Sequence, residues 1–446
     1  MDAQTSTRIA HKIAELTRRV TPFGVRTANR SITVDVEGTA FTLLDNAADA
    51  YDELRREVLQ ESSWHDKFSE SYIGRALDRV LAMLVRDNDS SIDGASRYFT
   101  SLADDFDQYI KRHTVYVALD GIRMVNDTPI TMGRVILRRM SGSNYDELLG
   151  QVQATTIANT QYTVDENREI FENAARQLSV IKGAVCAEYE VVAEPVRAEE
   201  RAKDEVRRIV DLFYYVIPYL YGPNFRVQIG LQGELQRSQR LTVAFGQEAS
   251  SLHFATEILG PIIPFELSDD NMRIMEQIGI FKLSNILRKN RLTNKEMALL
   301  RSLHWFANAQ TQLDREIKLI SLFTCLESLL SPTGKPTRQS EVAEQVSRIL
   351  TDDSEDRKSV EQRILLIYRK RSQLVHGRDV AILDADISYL TTVVLSILRS
   401  VIDDSRVLSS RESFHYSIQD QYLLLRPETS SASNVPPSGL PGNALT

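Results

Sequence analysis

Tyr368-Arg369-Lys370-Arg371-Ser372-Gln373-Leu374-Val375-His376-Gly377 is the stretch on which the reading of this chain turns. It closes an apolar segment carrying Ile364, Leu365 and Tyr368 at helical spacing. Gly377 stands where a helix stops, because glycine adopts the left-handed conformation that ends a helix. Arg371 and His376 sit inside it, four residues between them. An arginine presents a charged fork of donors that fits phosphate. A histidine exchanges protons near neutral pH. Together they can handle a phosphodiester without a metal, so the expectation is that no metal or cofactor is required.

Outward from this stretch, strand signals nearly vanish after Ser284. Asn294 is positioned to cap a long helix running to Leu330, with Leu299, Leu303, Phe306, Ile317, Ile320, Leu326 and Leu330 on its apolar stripe. Ser331–Pro336, with two prolines and a glycine, ends it. A second helix is expected over Val342–Leu350. A third starts from the acidic run 352–356, where negative charge suits a helix N-terminus, and ends near His376. A fourth covers Asp384–Ile402. Four antiparallel helices with short joins make a bundle. The Ser-, Pro- and Gly-rich tail 427–446 reads as disordered.

The preceding half has a different texture. Residues 3–20 are amphipathic, with Ile9, Ile13 and Leu16 on one side. Residues 31–36 and 39–44 flank Glu37-Gly38 as the arms of a hairpin. Two or three helices follow between 46 and 112. Strands are expected at 115–119 and 131–137, either side of a turn at Asn126-Asp127, and again at 184–193. A charged helix begins at Pro195 and runs into Leu212, and 225–270 reads as strands and loops. The fold class is thus an α+β region, 1–283, followed by an all-α helical bundle, 284–426, and the tail 427–446.

At 446 residues, with 42% hydrophobic and 26% charged residues, the chain can bury a sizeable core without a staple. Two cysteines, Cys186 and Cys325, lie far apart among apolar neighbours, which fits a reducing cytoplasm rather than a disulfide framework or a zinc site. The first residues are polar, and the apolar stretch 209–221 contains Asp211 and Pro218, so a cytoplasmic protein without a membrane span is expected. Net charge is −8; residues 281–380 hold 18 basic against 12 acidic residues, a local +6 that leaves −14 elsewhere. A basic segment on an acidic body suits a local phosphate site better than general nucleic-acid binding. Gly-x-Ser-x-Gly, phosphate-loop and dinucleotide patterns are missing from the sequence. His11, His65, His113, His253, His304 and His415 have no metal-ligand spacing.

The framing of the motif, Leu322-Phe323-Thr324-Cys325-Leu326-Glu327-Ser328-Leu329-Leu330 followed by Tyr368 and Arg371-Ser372-Gln373-Leu374-Val375-His376-Gly377, resembles the HEPN family, specifically its ApeA-like branch. The resemblance covers about residues 295–405. It implies a helical ribonuclease-type domain acting as a homodimer or larger assembly, whose Arg371 and His376 are the catalytic pair. On an ideal helix the two side chains lie about 140° apart, so one copy does not bring them to a single face, and two copies could line one cleft. Arg369, Lys370 and Arg378 flank the pair and would hold RNA phosphates, with tRNA or another structured RNA as substrate. The resemblance further implies a bacterial anti-phage effector working by abortive infection and released by a phage-derived or protein trigger. HEPN toxins restrained by nucleotidyltransferase antitoxins carry a tyrosine two residues after the motif histidine, and here that residue is Arg378. The alternative is a non-catalytic HEPN scaffold, with Arg371 bridged to Glu327, that binds RNA or a partner protein.

Overall fold

The computed structural model describes residues 3–22, 30–36, 38–60, 64–158, 162–222, 227–235, 238–245, 252–259, 263–330, 338–351 and 353–403. The tail 427–446 lies outside them, as does the expected helix stop at Ser331–Pro336. The chain divides into two compact units, one formed by Met1–Phe213 with Arg226–Met275 and the other by Tyr214–Phe225 with Glu276–Thr446. The first mixes helices and sheets, and the described part of the second is helical.

In the first unit, α1 (Ala3–Thr17) is followed by β1 (Thr21–Pro22), β2 (Ser31–Val36) and β3 (Thr39–Leu44). The expected hairpin is present, with Ser31 opposite Leu44 and Val36 opposite Thr39. Gly38 takes φ 82° in the connection, a conformation glycine adopts freely. Helices α2 (Asn46–Gln60), α3 (Glu70–Arg86) and α4 (Ile92–Tyr109) follow. Ser69 and Ser91 cap the last two, accepting from the amides of Tyr72 and Gly94. Ile9, Ile13, Phe41, Leu54, Leu77 and Phe99 meet in one core, which is why the apolar side of α1 is buried.

Next come β4 (Lys111–Asp120), β5 (Ile122–Met124), β6 (Ile130–Met132), β7 (Val135–Arg139), α5 (Ser143–Ile157), α6 (Val164–Leu178), β8 (Val185–Ala193), α7 (Pro195–Tyr221) and β9 (Gly230–Leu231). Five of these strands form a sheet in the order β6-β7-β8-β4-β9. The expected strand 131–137 is two strands, because the chain turns at Gly133, φ 60°, so that Met132 faces Val135. β4 pairs with β8, placing Lys111 opposite Ala193 and Leu119 opposite Val185. β10 (Ser238–Phe245) and β11 (Leu252–Leu259) form an antiparallel ribbon, and β12 (Phe265–Leu267) runs parallel to β5. The start of α7 has an unusual cap. The buried carboxylate of Glu194 accepts from the amides of Val196 and Arg197 at 3.1 and 3.0 Å and from the Ser69 hydroxyl at 3.0 Å. Every oxygen is thereby satisfied, as burial of a charge demands.

Beyond α8 (Asp269–Gln277), the second unit contains α9 (Ile280–Leu287), α10 (Asn294–Thr311), α11 (Arg315–Leu330), α12 (Gln339–Leu350), α13 (Ser354–Val375) and α14 (Asp384–Asp403). The long helix expected over 294–330 is two helices, giving five among the described residues from 294 onward instead of four. Asp314 makes the break by accepting from the amides of Glu316 and Ile317 at 2.7 and 3.2 Å, an N-cap interaction that starts α11. The cap of α10 is Thr293, in a reciprocal box with Glu296, and Asn294 is the first helical residue. Leu303, Phe306, Leu322, Phe323, Ile364, Leu390, Val394 and Ile397 are all buried. Asp384–Asp403 has the length and apolarity of a membrane-crossing helix; 56% of its apolar stretch is buried inside the chain, as in a core helix.

Candidate functional site

Helix α13 carries every nominated site residue up to Val375. Asp353 starts it, accepting from the amides of Glu355 and Asp356 at 2.8 and 3.0 Å. Ile364, Ile367 and Tyr368 are its buried residues. At the far end His376 is the C-cap (φ −89°, ψ 14°) and Gly377 takes φ 72°. The Arg378 amide donates to the Gln373 carbonyl at 3.0 Å and the Gly377 amide to the Leu374 carbonyl at 2.8 Å. These two bonds define a Schellman stop, which needs a left-handed residue next to the cap. The glycine of the motif is therefore what turns the chain directly after the histidine.

The imidazole of His376 is exposed and has no hydrogen-bond or ion-pair partner among the described residues. Arg371 is only 24% exposed. Its Nη2 donates to Oε2 of Glu327 on α11 at 3.4 Å, and its guanidinium lies 5.5 Å from the centre of the Tyr368 ring. Nε of Arg371 is buried with no acceptor. The other oxygen of Glu327 accepts from the Tyr368 hydroxyl. Burial, then this hydrogen bond and the carboxylate charge, push the Tyr368 phenol above the ordinary tyrosine range, with Arg371 opposing. Tyr368 thus keeps its proton and donates a hydrogen bond to Glu327. Its ring packs on Phe323, centroids 4.6 Å apart.

The flanking basic residues divide. Lys370 donates to Asp386 of α14 at 2.6 Å and to the Ala381 carbonyl at 3.3 Å, tying the two helices together. Arg369 and Arg378 are exposed, with no side-chain partner among the described residues. On α13 the exposed residues Leu366, Arg369 and Gln373 follow one another at three- and four-residue intervals and lead to His376, so they share one outward ridge. Leu366 and Val375 are 56% and 55% exposed.

Sequence reasoning placed Glu327 beside Arg371 and missed Tyr368 and Asp386 as partners. The signal for Tyr368 was present: three residues before Arg371, it lies on the same side of a helix. For Asp386 nothing local pointed to Lys370, since the contact depends on how α14 packs. Chemically, the end of α13 offers an exposed imidazole, a partly covered guanidinium braced by a carboxylate and a phenol, and two exposed arginines with no side-chain partner among the described residues. Comparison of the chain with protein-family models, with curated proteins and with solved structures finds no significant match to any of them.

Proposed function

We propose that the helical unit is a HEPN-type endoribonuclease that cuts RNA without a metal, acting as a homodimer in which the α13 ends of two copies meet. The observation that carries this is the exposed imidazole of His376, without a partner among the described residues, on the same helix end as the partly exposed guanidinium of Arg371. The substrate supplies its own nucleophile. The ribose 2′-oxygen attacks the adjacent phosphorus as its proton passes to a base, and the bond to the 5′-oxygen breaks as that oxygen takes a proton. The products are a 2′,3′-cyclic phosphate and a 5′-hydroxyl. One His376 removes the proton and the partner's copy supplies the other, while Arg371 balances charge on the phosphoryl oxygens. Arg369 and Arg378 hold flanking phosphates without reading bases. The exposed Leu366 and Val375 beside them give the two copies apolar surface to bury. The role that goes with such an enzyme is an anti-phage effector that halts the infected cell by cutting tRNA or another structured RNA once triggered.

One observation favours a second reading. Arg371 already has a carboxylate partner within its own chain, as it would in a scaffold that binds RNA or a protein without cutting. Incubating purified protein with structured RNA in excess chelator separates the two. Cleavage to 2′,3′-cyclic phosphate ends that disappears in His376→Ala supports the nuclease; tight binding without cleavage, indifferent to that change, supports the scaffold.

A further inference from the structure

The two oxygens of Glu327 are divided between two donors on α13, and the division is unequal. Oε1 accepts from the Tyr368 hydroxyl. Oε2 meets Arg371 at 3.4 Å, outside the usual span of about 2.7–3.2 Å for such bonds. A carboxylate and a guanidinium left to themselves pair through both oxygens and two nitrogens. Here one oxygen is turned to the phenol and a single nitrogen of Arg371 reaches the other, so the two-point pair is not formed. Arg371 stays near Glu327, yet Nε has no acceptor among the described residues. Tyr368 is in turn fixed: it is 3% exposed and its ring is packed against Phe323.

We infer that Tyr368 is a positioning residue: by holding Glu327 through one oxygen, it keeps Arg371 oriented but uncommitted, so that its fork remains open to a phosphate. Glu327 then acts as a brace when the tyrosine holds it and as a competing anion when the tyrosine does not. The consequence for RNA rests on the nuclease reading above, whereas the availability of the guanidinium does not.

The test uses the full chain and phenylglyoxal, which modifies accessible, unpaired arginines, with peptide mass spectrometry as readout. In Tyr368→Phe, Glu327 closes on Arg371 and labelling of Arg371 slows about tenfold. In the double variant Tyr368→Phe/Glu327→Gln the competing charge is gone, and labelling returns to the wild-type rate. Arg369 and Arg378 report on folding, since neither has a side-chain partner to lose among the described residues. Unchanged Arg371 labelling in Tyr368→Phe overturns the inference. So does a double variant that stays as slow as the single one, because a purely structural tyrosine would not be rescued by removing a charge. A parallel series in a His376→Ala background measures RNA binding, which should weaken and recover in step. Labelling that follows the expected course while RNA fails to bind in every variant would leave the inference standing and remove the nuclease reading.

Discussion

Replacing His376 by alanine separates chemistry from folding more cleanly than any other change at the α13 end. The imidazole is exposed and makes no hydrogen bond or ion pair among the described residues. The backbone at this position is helical-like, and its amide donates to the Ser372 carbonyl at 3.2 Å, which alanine preserves. The left-handed turn is the work of Gly377 and is untouched. An exposed substitution of this kind changes stability by about 0.5 kcal/mol or less, about 1–2 °C in melting temperature for a unit of ordinary size. Loss of a positioned acid or base costs about 10²–10⁴ in rate. Melting followed by circular dichroism, beside cleavage of end-labelled structured RNA in chelator, should therefore show an unshifted transition and a rate lowered by that factor. Arg371→Ala is a poorer probe, because it also removes the ion pair with Glu327 and so changes the packing of α13 against α11 along with the chemistry. Full cleavage by His376→Ala refutes the catalytic role proposed for it. Loss of cleavage together with a collapse of the melting transition refutes the claim that its side chain carries no structural load.

Two glycines of the helical unit should respond differently to alanine. Gly377→Ala meets nothing within 4 Å and pays only for its left-handed backbone, about 1–2 kcal/mol by chemical denaturation. In Gly279→Ala, with φ 84°, the new carbon would sit 2.5 Å from Cγ2 of Ile402, and the added overpacking should raise the loss to about 2–5 kcal/mol. Both cysteines are buried; desolvation pushes the Cys186 thiol up to about 12 and Cys325 higher still. A thiol-titrating reagent should find neither in the native protein near neutral pH and both after denaturation. Asp78 is held above the usual aspartate range by burial, with a hydrogen bond from Tyr51 and the charge of Arg55 opposing. The native state thus keeps this proton to higher pH than the unfolded chain, so its contribution to stability is present in acid and is lost as pH rises through the elevated value. Urea midpoints measured from acid to neutral pH should show this slope in the wild type and a flatter one in Asp78→Asn.

Much of the local structure was legible because the punctuation was explicit. Glu37-Gly38 between alternating runs fixed the β2–β3 hairpin, and Pro195 marked the start of α7. The break between α10 and α11 was not legible. Gln312-Leu313-Asp314 contains neither glycine nor proline, and the apolar stripe continues across it, so periodicity alone reads straight through. Only the side chain of Asp314 turning back on two amides reveals the new start. The turn at Gly133 was missed for a related reason, since Asn126-Asp127 nearby is a stronger turn signal than Gly133-Arg134. At the candidate site, spacing fixed where Arg371, His376 and Gly377 fall on α13. The engagement of Lys370 by Asp386 and the hold of Tyr368 on Glu327 required tertiary packing.

The helical unit is discontinuous in sequence, and this decides how it could be excised. Tyr215 and Tyr219, on the last turns of α7, belong to it: the Tyr215 hydroxyl donates to the Ile278 carbonyl at 3.4 Å and the Tyr219 hydroxyl to the Leu395 carbonyl at 3.3 Å. A fragment beginning at 276 would leave both phenols behind and open a hole beside α14. A faithful minimal version has to splice 214–225 back on, so this bundle cannot be transplanted as a simple C-terminal cassette.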